Sequence, residues 1–305
     1  MALKDIKTKI KSVDRTRKVT KAMETVSAVK MRKSQLRAIS GRSYAVAAVS
    51  ILRRMSASLY AMSHPLTAKR EVSRAAFVVV TSDKGLCGVL NAAVLRETNR
   101  AIKATGLPKE SISIYAFGKK AAEFFERRGY KLRLRFDNIS DDVSIEDLKE
   151  AVESVTSSFA AQEYDSVSIH YTSFKSTFEQ NPVSRDLLPL SVDTIQEVVK
   201  EILPQQGAFA EEETHEVPSF YTVEPSPEIV LETLVPRLVG IVFYHALLES
   251  KASEHSARMV AMKNASDKSR DLSKELNRTY NKARQALITR EVSEIVGGIE
   301  AMAAS

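Results

Sequence analysis

"IKTKIKSVDRTRKVTKAMETVSAVKMRKSQ", Ile6 to Gln35, contains no glycine and no proline. The first proline of the chain is Pro65, and before it the only glycine is Gly41. At the other end, neither residue occurs between Gly240 and Gly297. Both ends therefore lack breakers where a long helix needs them absent. At ~1.5 Å per residue each end makes a rod of roughly 80 Å or more. A middle domain of about 150 residues has a radius of gyration near ~15 Å. Both rods overshoot such a body, and two protruding helices of one chain are best buried against each other.

Apolar spacing agrees. Leu3, Ile6, Ile10 and Val13 step by three and four, and Met23 and Val26 resume the stripe after Thr16 and Thr20. Near the other end Met262, Ser269, Leu272, Leu276, Thr279, Ala283 and Ala286 keep a similar seam. This is the coiled-coil period. Thr, Ser and Ala replace Leu over long stretches, so the pair is expected to be marginal alone and to gain from an external sleeve.

Between the rods, strands alternate with helices. "AAFVVVTS" (75–82) is a buried strand, 88–104 a helix ending before Gly106, and "SISIYAFG" (111–118) a second strand. The helix "KKAAEFFERRG" follows, then the alternating "YKLRLRF", then a helix opened by a Ser144 cap with Asp147 in the capping-box place. "DSVSIHYTSF" is a further strand. The succession predicts a parallel, doubly wound sheet. The acidic stretch 203–218 reads as a loop, and Ser226 with Pro227 caps and opens the last helix. The expected organisation is an α/β protein. It has an N-terminal coiled-coil helix (1–64), a Rossmann-like middle domain (70–202), a loop and foot segment (203–226), and a C-terminal coiled-coil helix (227–305).

Of 305 residues, 44% are hydrophobic and 27% charged, and the formal charge is +7. Residues 1–42 concentrate that charge: basic side chains from Lys4 to Arg42 face only Asp5, Asp14 and Glu24, so an acidic neighbour is expected. Asp5 and Asp14 argue against an organellar transit peptide. No apolar run reads as long enough to cross a bilayer, since Pro236, Arg237, Gly240 and His245 interrupt "LVPRLVGIVFYHALL". One cysteine, Cys87, rules out an internal disulfide and fits a reducing compartment.

No catalytic constellation emerges. "TSDKGLCGVLN" (81–91) places a glycine turn between strand and helix but lacks the Lys-Ser/Thr pair of a P-loop and the G-x-G-x-x-G fingerprint. It reads as a turn that folds the domain. His64, His170, His215, His245 and His255 have no metal-ligand spacing. Asp141-Asp142 reads as a polar loop before a helix. Neither cofactor nor metal is expected.

"IKTKIKSVDRTRKVTKAMETVSAVKMRKSQ" resembles the N-terminal helix of the F-type ATP synthase gamma subunit, bacterial type. "ASEHSARMVAMKNASDKS" (252–269) and "LNRTYNKARQALITREVSEIVGG" (276–298) resemble its C-terminal helix. "TSDKGLCGVLN" resembles the first strand and turn of its middle domain. The resemblance spans nearly the whole chain in order. It implies a non-catalytic rotor shaft turning inside a ring of three alpha and three beta subunits, joined below by an epsilon subunit and a membrane c-ring. It places Lys18, Lys21, Met23, Arg258, Arg284, Gln285 and Thr289 against beta subunits, and Tyr221 and Glu224 against the c-ring. It implies peripheral attachment at the cytoplasmic face of the cell membrane. The long acidic loop makes the register at Tyr221 and Glu224 less direct, and Ile299 stands where small residues usually follow the glycine pair. Two other readings remain: a basic coiled-coil nucleic-acid binder, which lacks aromatic residues before Tyr44, and a doubly wound enzyme built on the glycine turn.

Overall fold

The computed structural model describes residues 3–40, 64–191, 224 and 226–303. Its elements are α1 (Leu3–Ser40), β1 (Ala75–Val80), α2 (Leu90–Ala104), β2 (Ile112–Phe117), α3 (Lys119–Glu126), β3 (Lys131–Phe136), α4 (Lys149–Ala160), β4 (Ser166–Phe174), β5 (Gln180–Leu188) and α5 (Pro227–Ala303). The chain divides into two compact units: residues 28–257, and residues 1–27 together with 258–305. The long helices α1 and α5 each contribute to both.

Residues 28–257 are built on one five-stranded sheet of order β3-β2-β1-β4-β5. β1, β2, β3 and β4 run parallel, and β5 returns antiparallel along β4. The expected parallel sheet is thus mixed. Its fifth strand was hidden because "QNPVSRDLL" carries a proline and charges, which an edge strand tolerates and an inner one does not. β1 is central, and all six of its residues are buried. Ala76, Val78 and Val80 look to one face with Tyr115, Phe117, Ile169 and Tyr171. That face is covered by α4 and by Leu231–Leu248 of α5. Ala75, Phe77 and Val79 look to the other, with Ile112, Ile114 and Ala116, under α2 and α3. Helices on both faces explain the unbroken apolar run.

Phe243 of α5 meets Phe117 with ring centroids 5.6 Å apart, so the last helix begins as a core element of the α/β unit. Within Ile229–Ile299 an 18-residue stretch is apolar enough to cross a membrane by length and composition. This corrects the reading of that run as interrupted: α5 continues through Pro236, Gly240 and His245. Just over half of the stretch, 56%, is buried inside the protein, where the sheet supplies its apolar partner.

Local signals position the elements. Ser144 and Asp147 form the reciprocal box: the Ser144 amide donates to Asp147 Oδ2 at 2.8 Å and the Asp147 amide to Ser144 Oγ at 3.3 Å. Ser226 Oγ accepts the Ile229 amide at 3.4 Å, ahead of Pro227 at the first helical position. α2 ends at Ala104 with Thr105 as its cap, and Gly106 then turns left-handed at φ 69°. On the edge strand β3, Lys131, Arg133 and Arg135 alternate outward, a charge pattern that discourages pairing with another chain.

In the second unit α1 and α5 pair antiparallel. Ser273 Oγ donates to Asp14 Oδ1 at 2.9 Å, while Arg17, Lys21 and Glu24 share a cleft with Lys263, Ser266, Asp267 and Arg270. Ile6, Thr20 and Ser27 are buried on α1, and Met262, Ser266 and Ser273 on α5. The seam differs from the sequence expectation. Val26 is 54% exposed and Leu272 41% exposed, and Thr16, Thr279 and Ala286 also face outward. Steps of four rather than three carry the stripe from Met23 to Ser27 and from Met262 to Ser266, so small hydroxyl side chains take the inner positions. The larger Val26 and Leu272 are left outside.

Candidate functional site

The glycine turn sits at the carboxyl ends of β1 and β2, where doubly wound sheets commonly bind ligands. Here its polar atoms are turned on one another. Asn91 accepts the Ser82 amide at 3.0 Å and donates to Ser82 Oγ at 2.7 Å, and Ser82 Oγ donates to the Lys84 carbonyl at 2.6 Å. Asp83 accepts the Lys119 amide at 3.0 Å, and Thr81 Oγ1 the Ala121 amide at 2.9 Å. Two amides in the first turn of α3 are thus engaged by the β1 turn. A Cβ on Gly118 would lie 2.2 Å from the Thr81 carbonyl oxygen, so the two turns are in backbone contact. Cys87 is buried beside Ser82 and Asn91. This geometry supports the reading of the turn as part of the scaffold.

The residues singled out by resemblance fall into distinct settings. Lys18 and Lys21 are exposed on α1, and Lys21 pairs with Glu24 at 2.9 Å. Met23 is half-buried one position from Glu24. Arg258 is only 8% exposed, so it is a helix-packing cation rather than a solvated one. Arg284, Gln285 and Thr289 are exposed, with Thr289 Oγ1 donating to the Gln285 carbonyl at 3.0 Å. Glu224 is exposed. Tyr221 lies outside the described residues, as does the acidic loop.

From Arg284 through Ile299 every residue of α5 is exposed. Asp14 stands opposite Ser273, and α1 has reached its first described residue, Leu3, by the level of Arg284. Leu287, Ile288, Val292, Ile295, Val296 and Ile299 are therefore 44–62% exposed, on a stretch of helix with no described residue of α1 beside it. A single helix with that apolar content is marginal in water and calls for a surrounding surface.

Sequence reading missed one cluster. Asp141 and Asp142, between β3 and α4, are met by Lys30, Lys33 and Arg37 of α1 and by Lys251 and His255 of α5. Part of the acidic neighbour expected for the basic N-terminal segment is therefore in the chain itself. The available signal was spacing: Lys30, Lys33 and Arg37 share one helical face, as do Lys251 and His255. His170 and His245, by contrast, are buried, and burial pulls each imidazole down to about 4. Among the described residues no group of His, Cys, Asp or Glu is arranged to hold a metal ion.

Against known proteins, the family described as ATP synthase matches residues 2–302. The "ATP synthase gamma chain" of Heliobacterium modesticaldum is 37% identical over 300 residues, covering 98% of this chain and 99% of the relative. That of Ralstonia nicotianae is 40% identical over 299 residues, covering 98% and 99%. A chain from the central stalk and c-ring of the Tetrahymena thermophila mitochondrial ATP synthase superposes with TM-score 0.60 at 26% identity, covering 81% of this chain and 99% of that one. A chain from the Euglena gracilis mitochondrial ATP synthase, in its OSCP/F1/c-ring structure, shares the fold with TM-score 0.64 at 20% identity, covering 99% and 95%.

Proposed function

We infer the function from one premise: the chain belongs to the ATP synthase gamma chain family. It is the central-stalk rotor subunit of an F-type ATP synthase, carrying the rotation of a proton-driven membrane ring to the catalytic subunits. The observation that carries this is the full-length match at 37–40% identity, which includes both long helices.

The geometry suits the role. A shaft that turns against its housing needs contacts that break and re-form, and its surface is accordingly charged along α1, with apolar side chains gathered near the end of α5. The seam of serine and threonine makes a slender pair that relies on a sleeve of three alpha and three beta subunits. Because the shaft's faces differ, each beta subunit meets a different one. Differential contacts then bias each site among its states, and rotation exchanges those biases. Lys18, Lys21 and Met23 on α1 and Arg284, Gln285 and Thr289 on α5 are the contacts we assign to beta subunits, with Arg258 supporting them from within the helix pair. Tyr221 and Glu224 are assigned to the c-ring, and an epsilon subunit to the foot. Catalysis belongs to the ring, so this chain holds no catalytic residue and binds no nucleotide at its glycine turn. Its place is the cytoplasmic face of the membrane, held there by the c-ring. The nucleic-acid reading loses ground because Asp141 and Asp142 already engage three of the N-terminal cations.

The test is purification of the tagged chain from its host's solubilised membranes. Co-purifying alpha and beta subunits in threefold excess, with ATPase activity, are expected. Recovery of the chain alone, or with nucleic acid, would overturn the reading.

A further inference from the structure

The two long helices are attached to the α/β unit by different physics. α5 is held by its core side chains: Leu231, Val235, Leu238, Val239, Val242 and Phe243 are all buried at 2% exposure or less. α1 shows no such anchor among its described residues: from Ala28 to Arg37 only Ser34 is buried. Its attachment there is ionic. Lys30 reaches Asp141 Oδ2 at 2.6 Å, while Lys33 and Arg37 reach Asp142 Oδ1 at 2.6 and 2.5 Å. Arg37 also donates to the Asp141 carbonyl at 2.7 Å.

The same loop grips α5. Asp141 Oδ1 accepts His255 Nε2 at 2.9 Å and faces Lys251 at 3.7 Å, and Lys251 Nζ donates to the Ile139 carbonyl at 2.7 Å. One carboxylate is thus shared between both helices, with α1 on one oxygen and α5 on the other. Charge-assisted bonds of this kind are directional: they resist sliding and twisting of α1 over α5, which an apolar contact would permit. His255, and after it Lys30, hold the Asp141 carboxyl well below the usual carboxylate range against the opposing pull of burial.

We propose that Asp141 and Asp142 form a torsion clip that fixes the angular position of α1 against α5, so that load entering through the α/β unit is shared by both helices. The five partners are positioning residues. The proposal rests on the rotor reading and adds to it the place where the shaft is fastened.

The test uses the assembled membrane complex carrying Asp141→Asn with Asp142→Asn. Assembly and ATP hydrolysis are expected to persist, because α5 keeps its core contacts. Amide exchange across residues 139–143 should rise about tenfold or more, the factor that one lost charge-assisted hydrogen bond is worth. Proton-driven synthesis should fall at least severalfold. The exposed pair is then reversed as Lys33→Glu with Asp142→Lys, and this swap should restore more synthesis than Asp142→Lys alone. Wild-type exchange and synthesis in the double variant would overturn the clip, as would faster exchange with undiminished synthesis or a swap that rescues nothing. Failure of the wild-type chain to co-purify with alpha and beta subunits would instead refute the rotor reading itself.

Discussion

Gly118→Ala tests the contact that closes the would-be ligand site. Gly118 has φ 92° and ψ 142°, a region nearly reserved for glycine, where another residue costs of order 1–3 kcal/mol. A Cβ there would also sit 2.2 Å from the Thr81 carbonyl oxygen and 2.7 Å from its carbon. Backbone cannot yield cheaply, so Thr81 must move. It would strain the bond from its amide to the Phe117 carbonyl, at 2.8 Å, and the one its hydroxyl accepts from Ala121, at 2.9 Å. Each such bond contributes about 1 kcal/mol net. Together these terms put the destabilisation at about 3–5 kcal/mol, and the α/β unit bears it. Gly129 is the matched control, since it has φ 74° but nothing within 4 Å of an added Cβ. Gly129→Ala meets only the left-handed backbone penalty, about 1–2 kcal/mol. Urea unfolding of the full chain, followed by circular dichroism and intrinsic tyrosine fluorescence, measures both. Equal losses in the two variants, or a Gly118→Ala protein within about 1 kcal/mol of wild type, would refute the argument that Thr81 and Gly118 are in backbone contact.

Three further outcomes follow from the same structure. Phe243→Ala removes the ring that α5 lays against Phe117 and should cost about 3–5 kcal/mol of unfolding free energy; a loss below about 1 kcal/mol would show that α5 is not a core element. His170 and His245 are each pulled down to about 4 by burial. The unfolded chain therefore binds protons that the folded one refuses, and stability is complete above the ordinary histidine value near ~6.5 and declines as pH falls from there towards 4. Imidazole resonances of both residues should stay at neutral-form shifts between about pH 7.5 and 5, and a midpoint near ~6.5 in either would contradict its burial. Arg284→Glu, on an exposed helix face, should lower proton-driven synthesis in the complex while leaving the isolated chain's stability within about 0.5 kcal/mol. Arg258→Glu should lower both, because it buries a carboxylate, and undiminished synthesis in Arg284→Glu with Arg258→Glu would remove Arg284 from the beta-subunit contact and Arg258 from its support.

The amino-acid sequence alone determined the elements whose signals are local. Breaker-free ends required long helices, the run "AAFVVV" required a strand buried on both faces, and Ser226 with Pro227, and Gly106, marked helix boundaries that the structure keeps, whereas the Ser144–Asp147 box opens a 3-10 turn, Glu146–Leu148, ahead of the helix that starts at Lys149. These depend on dihedral preference and on bonds spanning three or four residues, so neighbouring sequence suffices. Tertiary structure decided what depends on distant partners. β5 is a strand because β4 offers it an antiparallel edge, which its own proline and charges do not announce. Ser27, Ser266 and Ser273 face inward in place of Val26 and Leu272 because the helix period outranks hydrophobicity at single positions. The apolar run near Gly240 is a core stripe because the sheet is there to receive it. The basic face of α1 reads from sequence as a surface awaiting an acidic partner. Part of that partner is Asp141 and Asp142, more than a hundred residues away, and no local rule connects charges at that separation. Only the folded α/β unit brings them together.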